Sequence, residues 1–448
     1  MGPRDTGQMT IIRAVAASRT SEGRLTPAPR SYPPGVALVR RSARGAAAAP
    51  GVSDVPAIEQ WLLRDAAAEK QLLELVESFA QRVVIAGIPV DRLTLHMGTL
   101  HPQLVGFGWV WNSADQLCDE VKVPDAIAAT DSFLRNPIPR VRESGEAVRR
   151  NPQTPGAAEE FPILAELARD GIADYLVLPL SGEGRRNVVT ISTRRASGFS
   201  DAELQHLRRL LELFALHVER HAETRISSNA LTAYLGAIAA EQVLSGAIKR
   251  GTGKAISAVI WVSDLRGFTR LSDQLSPADL IEVLNAYFDV AAGAVLAHGG
   301  EVLKFIGDGL LGVFRIAGET PGPDAAARAL AAATEADTRM GELNDRPPPH
   351  LAAIADWRPL KLGIALHEGE VFFGNIGSPE RLDFTVIGPA VNEASRVEAL
   401  QKVLGRTILI TGSVARHLDC PLDHLGEHTL RGVSAPVSIY SPAKSVSN

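Results

Sequence analysis

The chain has 448 residues, 45% of them hydrophobic and 22% charged, a balance typical of globular proteins with room for about two or three domains. The formal net charge of −5 argues against a nucleic-acid binder that depends on bulk attraction to phosphate. Its two cysteines show no CxxC or CxxH spacing, which argues against a disulfide framework and a structural zinc site. No apolar run is long enough to cross a bilayer and no export signal is recognisable, so we predict a cytoplasmic protein without a membrane span.

The first 57 residues are rich in Ala, Pro, Gly and Arg and contain few acidic residues. Such a segment buries too little apolar surface to offset the entropy cost of ordering, so we predict disorder over residues 1–57. An Arg-rich, acid-poor start also resembles an organelle transit peptide, although this segment lacks a clear amphipathic helix.

A change to helical spacing at residue 58 predicts the start of a compact α/β domain. Strand-like patterns follow in RLTLHMGTLHP, GFGWVWN, DYLVLPLS and NVVTISTRR, and Ser200 and Glu203 form a capping box at the start of a closing helix. This order of helix, strands and closing helix resembles a GAF-type sensory domain over residues 58–221. The resemblance implies that the domain responds to an effector, whose chemistry the sequence does not reveal.

Two groups of residues in this domain raise the question of a ligand site. Phe107, Trp109 and Trp111 alternate along one strand and so share a face, which we interpret as core rather than as a pocket lining. His96 and His101 lack a nearby carboxylate pattern, so we assign them no metal-binding role.

Residues 222–257 connect this domain to the next region. They remain helical in character as far as Arg250, and their apolar residues are spaced to form a seam. We therefore predict a connecting helix that is able to pair with a copy of itself.

A third region begins at residue 258 with a β-rich apolar run that ends at Asp264 and is followed by a turn containing Gly267. A carboxylate at the end of a buried strand, next to a turn whose N–H groups can meet phosphate, is well placed to bind a divalent cation. Asp264 is therefore a candidate metal ligand.

The segment VLKFIGDGLLGVF predicts a hairpin with a tight turn at Gly307, Asp308 and Gly309. The hairpin brings a second carboxylate beside the end of the first strand. Two carboxylates held together repel unless a cation shares them, so the pair predicts Mg²⁺ or Mn²⁺ bound to substrate phosphates. Taken alone, Asp308 is equally typical of a turn-forming Asp before Gly.

The segment RLDFTVIGPAVNEASRVEALQKVLG changes from strand to helix near Gly388. Asn392 and Arg396 are four residues apart on that helix, so both side chains project from one face. An amide and a planar cation on one face suit a phosphoryl group, whereas a solvated Arg on an amphipathic helix is the alternative.

Three segments in this order, SDLRGFT, GEVLKFIGDGLLGVF and DFTVIGPAVNEASR, resemble the motifs of the class III nucleotidyl cyclases. The resemblance implies an α+β catalytic domain over residues 258–448, with a ferredoxin-like βαββαβ fold that is active as a homodimer with two shared sites. Asp264 and Asp308 match the two metal-binding aspartates of the family, which implies two Mg²⁺ or Mn²⁺ ions per active site.

The resemblance also assigns residues to the nucleotide. Lys304 and Asp383 match the pair that reads the purine, and a Lys donor with an Asp acceptor suits adenine rather than guanine. Asn392 and Arg396 match the residues that orient the ribose and stabilise the transition state. Arg431 falls where the family often has a lysine that contacts the terminal phosphates; the change keeps the charge and alters the geometry.

Phe268 and Thr269 lie in the turn after Asp264, where backbone contacts to phosphate matter more than side chains. The resemblance thus implies an adenylate cyclase that converts ATP to 3′,5′-cyclic AMP and pyrophosphate and is regulated by its N-terminal domain. Two alternatives remain. One is a guanylate cyclase, and the other is a catalytically silent dimer that acts as a ligand-sensing scaffold.

Overall fold

The computed structural model of the chain divides into two compact units, Met1–Ala230 and Leu231–Asn448. The residues that the structure describes are 30, 32–180, 187–316, 322–354 and 357–443. Most of the segment predicted to be disordered, residues 1–29 and 31, lies outside the described residues.

The first unit contains a sheet of seven antiparallel strands. The strands are β1 (Ala37–Arg41), β2 (Arg92–Gly98), β3 (Leu104–Asn112), β4 (Cys118–Pro124), β5 (Val148–Arg150), β6 (Asp174–Leu180) and β7 (Asn187–Thr193). Their order across the sheet is β1-β4-β3-β2-β7-β6-β5. The four segments predicted to be strands are β2, β3, β6 and β7, so those predictions are confirmed.

Helices cover both faces of this sheet. They are α1 (Val55–Arg64), α2 (Leu72–Ile85), α3 (Asp131–Leu134), α4 (Pro137–Ser144), α5 (Ala157–Glu160), α6 (Ile163–Arg169) and α7 (Asp201–Leu235), with short 3₁₀ helices at Gly45–Ala48, Ala66–Ala68 and Asp125–Ala129. The main core joins α1, α2 and α7 to one face, and a smaller core joins α4 and α6 to the other. The unit is an α/β domain as predicted, while its GAF-like assignment stays a prediction.

The aromatic face of β3 belongs to the main core. Phe107, Trp109 and Trp111 are 8%, 1% and 1% exposed and pack among the residues of α1, α2 and α7, so the interpretation as core is confirmed. His96 Nε2 lies 2.8 Å from Thr94 Oγ1, and burial lowers the pKa of His96 to about 3. His96 is therefore a neutral, hydrogen-bonded residue near neutral pH.

The prediction of disorder over residues 1–57 is wrong for the part from Ala37 onward. Strand β1 pairs with β4, and α1 begins at Val55 behind the N-cap residue Asp54. Arg41 donates hydrogen bonds from Nε and Nη2 to the two carboxylate oxygens of buried Asp119 at 2.6 and 2.8 Å. The basic segment is ordered because its charges are neutralised by acids of β4, far away in the sequence.

The predicted connecting helix differs from the observed one. The capping box predicted for the closing helix of the first domain is present at the start of α7, where Ser200 N–H donates to Glu203 Oε2 at 2.8 Å. Helix α7 then ends at Leu235, and Gly236, with φ of +83°, separates it from α8 (Ala237–Leu244). The first strand of the second unit begins at Gly253, five residues before the predicted boundary.

The second unit contains an eight-stranded sheet. The strands are β8 (Gly253–Leu265), β9 (Glu301–Ile306), β10 (Gly309–Ile316), β11 (Leu362–Gly377), β12 (Leu382–Ile387), β13 (Ile408–Thr411), β14 (Leu422–His428) and β15 (Val437–Pro442). Their order is β14-β15-β13-β11-β8-β10-β9, with β12 paired to β11. The central order β11-β8-β10-β9, with helices after β8 and β10, agrees with the predicted βαββαβ arrangement.

The helices of the second unit are α8, described above, and seven more. These are α9 (Phe268–Gln274), α10 (Pro277–Ala297), α11 (Gly322–Asp345), α12 (Pro349–Ala352), α13 (Pro389–Ala399), α14 (Gln401–Leu404) and α15 (Gly412–Ala415). Helix α11 packs against the sheet and α10 through a stripe of fully buried alanines: Ala325, Ala326, Ala329, Ala332, Ala333 and Ala336. On the opposite face of the sheet, Ala390 and Ala394 of α13 pack against β8, β11 and β12.

Helix α10 is, among the described residues, the one helix with the length and apolar composition of a membrane span, with a mean hydropathy of 1.6. Its residues Val283, Tyr287 and Val290 lie in the core of the second unit. A core helix of a globular domain meets the same two criteria, so length and composition alone do not make α10 a span.

Candidate active site

Two carboxylates meet where β8 ends. Asp264 lies opposite Gly309 in the β8–β10 ladder, and Leu265 N–H donates to the backbone carbonyl of Asp308 at 3.3 Å. Gly307, with φ of +64°, lets the chain turn tightly between β9 and β10. The structure therefore brings together Asp264 and Asp308, as the hairpin predicts.

The electrostatics of this pair fit a bound cation. Burial, together with the nearby carboxylate of Asp308, raises the pKa of Asp264 well above its usual value. A divalent cation between the two carboxylates would remove this repulsion and lower the pKa again. In the part of the chain that the structure describes, no group of three or more His, Cys, Asp or Glu side chains is arranged to hold a metal. The remaining ligands would come from phosphate or water, which is common for Mg²⁺.

The turn after β8 leads directly into α9. Gly267 has φ of +77°, and Phe268 and Thr269 are the first residues of the helix, where backbone N–H groups have no intrahelical acceptor. The Phe268 side chain packs against the core of the unit, whereas Thr269 is exposed. Phe268 can therefore contact a ligand through its backbone, as expected from the sequence.

Lys304 and Asp383, the two residues matched to purine recognition, are in direct contact. Lys304 lies on β9 and Asp383 on β12, and the Lys304 ammonium group forms an ion pair with Asp383 Oδ2. The side chains are 30% and 57% exposed, so a ligand can reach both. The contact joins two segments that are distant in the sequence.

Helix α13 carries Asn392 and Arg396. Asn392 is exposed and Arg396 is half-buried. The Arg396 guanidinium lies beside Gly432, where a Cβ atom would be 3.4 Å from Nη1, and Arg431 next to it is exposed. The structure thus brings Arg396 and the loop of Arg431 together.

Sequence reasoning missed the residues that connect this helix to Asp264. Arg266 Nη2 lies 2.6 Å from Glu398 Oε1, and Nη1 lies 3.7 Å from Asp264 Oδ2. The Arg266 guanidinium also donates a hydrogen bond to Gln401 Oε1. Opposite charges in DLRG and RVEAL are the only sequence signal for this cluster, and they become informative only once the fold brings the segments together.

A cavity of about 1040 Å³ lies elsewhere in the second unit, lined by α10, α11 and the segment around α12. Its lining includes Glu282, Asp289, Arg339 and Glu342 but none of the candidate site residues. The cavity is therefore distinct from the carboxylate pair.

Residues 254–441 match the family described as "Adenylate and Guanylate cyclase catalytic domain". This segment therefore matches a cyclase catalytic domain, and we call it the cyclase domain. It contains the carboxylate pair, the Lys304–Asp383 contact and α13. The cyclase domain begins one residue after the start of β8 and ends within β15.

Curated relatives are similar to part of the chain. An adenylate cyclase of Anabaena cylindrica is 35% identical over 174 residues, which are 39% of this chain and 33% of that protein. An uncharacterised protein of Mycobacterium tuberculosis is 31% identical over 274 residues, which are 58% of this chain and 44% of that protein. The chain thus spans between a third and a half of the length of these two relatives.

Solved structures of both adenylyl and guanylyl cyclases are similar in sequence to part of the chain. The adenylyl cyclase CyaB from P. aeruginosa is 27% identical, with 43% of this chain and 97% of that chain covered and a TM-score of 0.39. The guanylyl cyclase Cya2 is 31% identical, with 44% and 97% covered and a TM-score of 0.37.

Proposed function

We propose that the protein is an adenylate cyclase that converts ATP to 3′,5′-cyclic AMP and pyrophosphate. The observation that carries this choice is the contact between Lys304 and Asp383, which presents a donor and an acceptor side by side. Adenine offers an acceptor at N1 and a donor at its 6-amino group, whereas guanine has the opposite polarity at both places.

Two divalent cations, Mg²⁺ or Mn²⁺, are proposed to bind at Asp264 and Asp308. The raised pKa of Asp264 supports this, because it marks a carboxylate pair that is destabilised without a counter-charge. When bound, the cations supply charge neutralisation for the triphosphate and a lower pKa for the ribose 3′-hydroxyl. The two carboxylates hold this charge at the end of β8, next to the turn before α9.

The remaining side chains act on the nucleotide. In the proposed reaction the ribose 3′-oxygen attacks the α-phosphorus in line, and pyrophosphate leaves. Arg396 would stabilise the charge that develops on the α-phosphoryl oxygens, and Asn392 would orient the ribose. Arg431 would contact the terminal phosphates together with the backbone N–H groups of Phe268 and Thr269.

The active form is proposed to be a homodimer, in which one chain supplies the carboxylate pair and its partner supplies the purine-reading residues and α13. Exposed apolar residues beside Lys304 and Asp383 support this proposal, since Phe305, Ile306 and Ile387 are 53%, 60% and 50% exposed. A second copy of the chain would bury such a surface.

The first unit is proposed to be a GAF-like regulatory domain. An effector bound there would change the pairing of the helices after residue 221 between the two copies and thereby the closure of the catalytic dimer. Removing residues 1–221 should change the basal rate or abolish an effector response. Unchanged behaviour in both respects would contradict this regulatory role.

Turnover of the purified full-length protein tests the activity. The protein is incubated with ATP or GTP in Mg²⁺ or Mn²⁺, and cyclic products are separated by chromatography. We expect cyclic AMP from ATP and its loss in Asp308→Ala. Cyclic GMP as the main product would favour a guanylate cyclase, which the similarity to guanylyl cyclase Cya2 keeps as the second candidate. No product under any condition would favour a silent scaffold.

Complementation tests the shared site. Asp308→Ala and Lys304→Ala proteins should each be inactive, because each lacks one half of both sites. Mixed, they should form heterodimers with one intact site and regain activity. An inactive mixture in which heterodimers are demonstrated by two affinity tags would contradict the shared arrangement.

A further inference from the structure

We propose that Arg266 is a positioning residue that couples the carboxylate pair to the helix that carries Asn392 and Arg396. This inference rests on the proposed cyclase function. The guanidinium lies between Asp264 at the end of β8 and the C-terminal end of α13.

The contacts of Arg266 reach both elements at once. Nη2 lies 2.6 Å from Glu398 Oε1, and it also lies 3.3 Å from the backbone carbonyl oxygen of Glu398. Nη1 lies 3.7 Å from Asp264 Oδ2, and the Arg266 backbone N–H donates to the Lys361 carbonyl at 2.7 Å. A planar guanidinium holds its two Nη groups in fixed directions, so Nη2 can bind α13 while Nη1 forms an ion pair with Asp264.

Gln401 binds Nη2, the same guanidinium nitrogen that contacts Glu398. It accepts a hydrogen bond from Arg266, and its own Nε2 donates to the carbonyl oxygens of Ile364 and Thr407 at 2.6 and 2.9 Å. Gln401 is only 4% exposed. The acceptor is therefore held by β11 and by the start of β13, which restricts the position of the guanidinium.

Gly363 on β11 provides the space for this arrangement. A Cβ atom there would lie 2.3 Å from Arg266 Nη2 and 1.7 Å from Gln401 Oε1, far inside contact distance. Gly363 also lies opposite Asp264 in the β8–β11 ladder. The strand is thus free of a side chain at the point where the guanidinium crosses it.

The charges explain why a cation is needed at this position. Glu398 is mostly buried and its pKa is raised, first by burial. Arg266 lies between Glu398 and Asp264 and offsets the repulsion between their carboxylates. Arg266 neutralises Glu398 and binds a carbonyl at the end of α13, where the helix dipole favours a positive charge.

In the proposed dimer this contact has a further consequence. The carboxylates of one chain serve one site, whereas α13 of the same chain serves the other site. Arg266 therefore links the two sites through a single chain, and a change at the carboxylates can shift Asn392 and Arg396 of the second site.

The test compares Arg266→Gln, Arg266→Lys, Glu398→Gln and the double variant R266Q/E398Q. Arg416→Gln is the matched control, because it removes another Arg–Glu pair of the same unit, Arg416 with Glu368 at 3.2 Å. We expect Arg266→Gln to lower kcat about tenfold or more, to change the KM for ATP less, and to raise the metal concentration needed for half-maximal rate. Arg266→Lys should not restore the rate, and the double variant should lose less than the sum of the single losses.

Equal kinetics of Arg266→Gln and Arg416→Gln, or single losses that add in the double variant, would overturn the proposal. A readout independent of activity is the rise of Tm with added Mn²⁺, which Arg266→Gln should reduce and Arg416→Gln should not. If the wild type forms no cyclic nucleotide, the cyclase function fails. The coupling between Arg266 and Glu398 is then tested by the unfolding midpoints of the same four variants. Midpoint shifts of the single variants that add up in the double variant would overturn the coupling.

Discussion

The Lys304 ammonium group contacts the Asp383 carboxylate and thereby joins β9 to β12. Both groups are partly exposed, and exposed ion pairs contribute only about 0–1 kcal/mol to stability. In the proposed function, a purine would therefore replace this contact at small cost and meet a donor and an acceptor that already lie side by side.

Exchange of the Lys304–Asp383 pair is expected to change the preferred base. The double variant K304E/D383C presents an acceptor where adenine needs a donor and lacks the acceptor for its 6-amino group. We expect ATP turnover to fall by on the order of 10²-fold or more and GTP turnover to rise. The ratio of kcat/KM values for the two nucleotides measures this, and an unchanged ratio would remove Lys304 and Asp383 from base recognition.

Removal of the α13 cation is expected to affect chemistry more than binding. Arg396→Ala should lower kcat by on the order of 10²-fold, because its charge is proposed to act on the transition state. Arg406→Ala, which removes an Arg paired with Asp423 at 3.0 Å, serves as the control. Near-full activity of Arg396→Ala in steady-state assays would show that the proposed role of Arg396 in the transition state is wrong.

The raised pKa of Asp264 should respond to its neighbour and to metal. Asp308→Ala removes the second cause of the shift, and Mg²⁺ adds an opposite charge, so each should lower the pKa of Asp264. Burial remains in both cases, so the return to the usual value is incomplete. Carboxyl NMR titration checks this, and a pKa indifferent to both changes would argue against a shared cation site.

Glu301 predicts a specific pH dependence of stability. It is 7% exposed, faces the backbone amides of Ile238 and Ala239 in α8, and has its pKa raised to about 7, chiefly by burial. Because the folded state keeps the proton longer than the unfolded state, this carboxyl weakens stability as the pH rises from the unfolded pKa of 4.5 to about 7.

Comparison with Glu301→Gln isolates the effect. Within that window, the wild type should lose unfolding free energy relative to this variant by at most about 1.4 kcal/mol per pH unit. Above the window, the difference between the two proteins should stay constant. Denaturant unfolding at several pH values measures the difference. Parallel stability curves for the two proteins would contradict the raised pKa.

The sequence predicted the parts of the fold and site that depend on local patterns. The strand ending at Asp264 and the turn at Asp308 were readable because Gly and Asp mark a hairpin locally. Strand β1 was not predictable in this way, since its segment is ordered by the pairing of Arg41 with Asp119 on another strand. The composition of this segment shows its arginines but not the acidic residues of β4 that pair with them.

The break at Gly236 and the cluster around Arg266 were missed for related reasons. One Gly within a helical pattern is common, and only the observed φ of +83° shows that the helix is interrupted there. Arg266 becomes a neighbour of Glu398 and Gln401 only when α13 packs against the sheet that contains β8. Contacts between distant segments carry no local signal.

The alanine stripe of α11 limits how the cyclase domain can vary. Because the six alanines of this stripe are fully buried against the sheet and α10, the helix lies close to its neighbours and leaves no room for longer side chains at these positions. A saturation mutagenesis library should tolerate Gly or Ser at these positions better than Val or Leu. Selection would therefore preserve small side chains along this face of the helix, rather than large apolar ones.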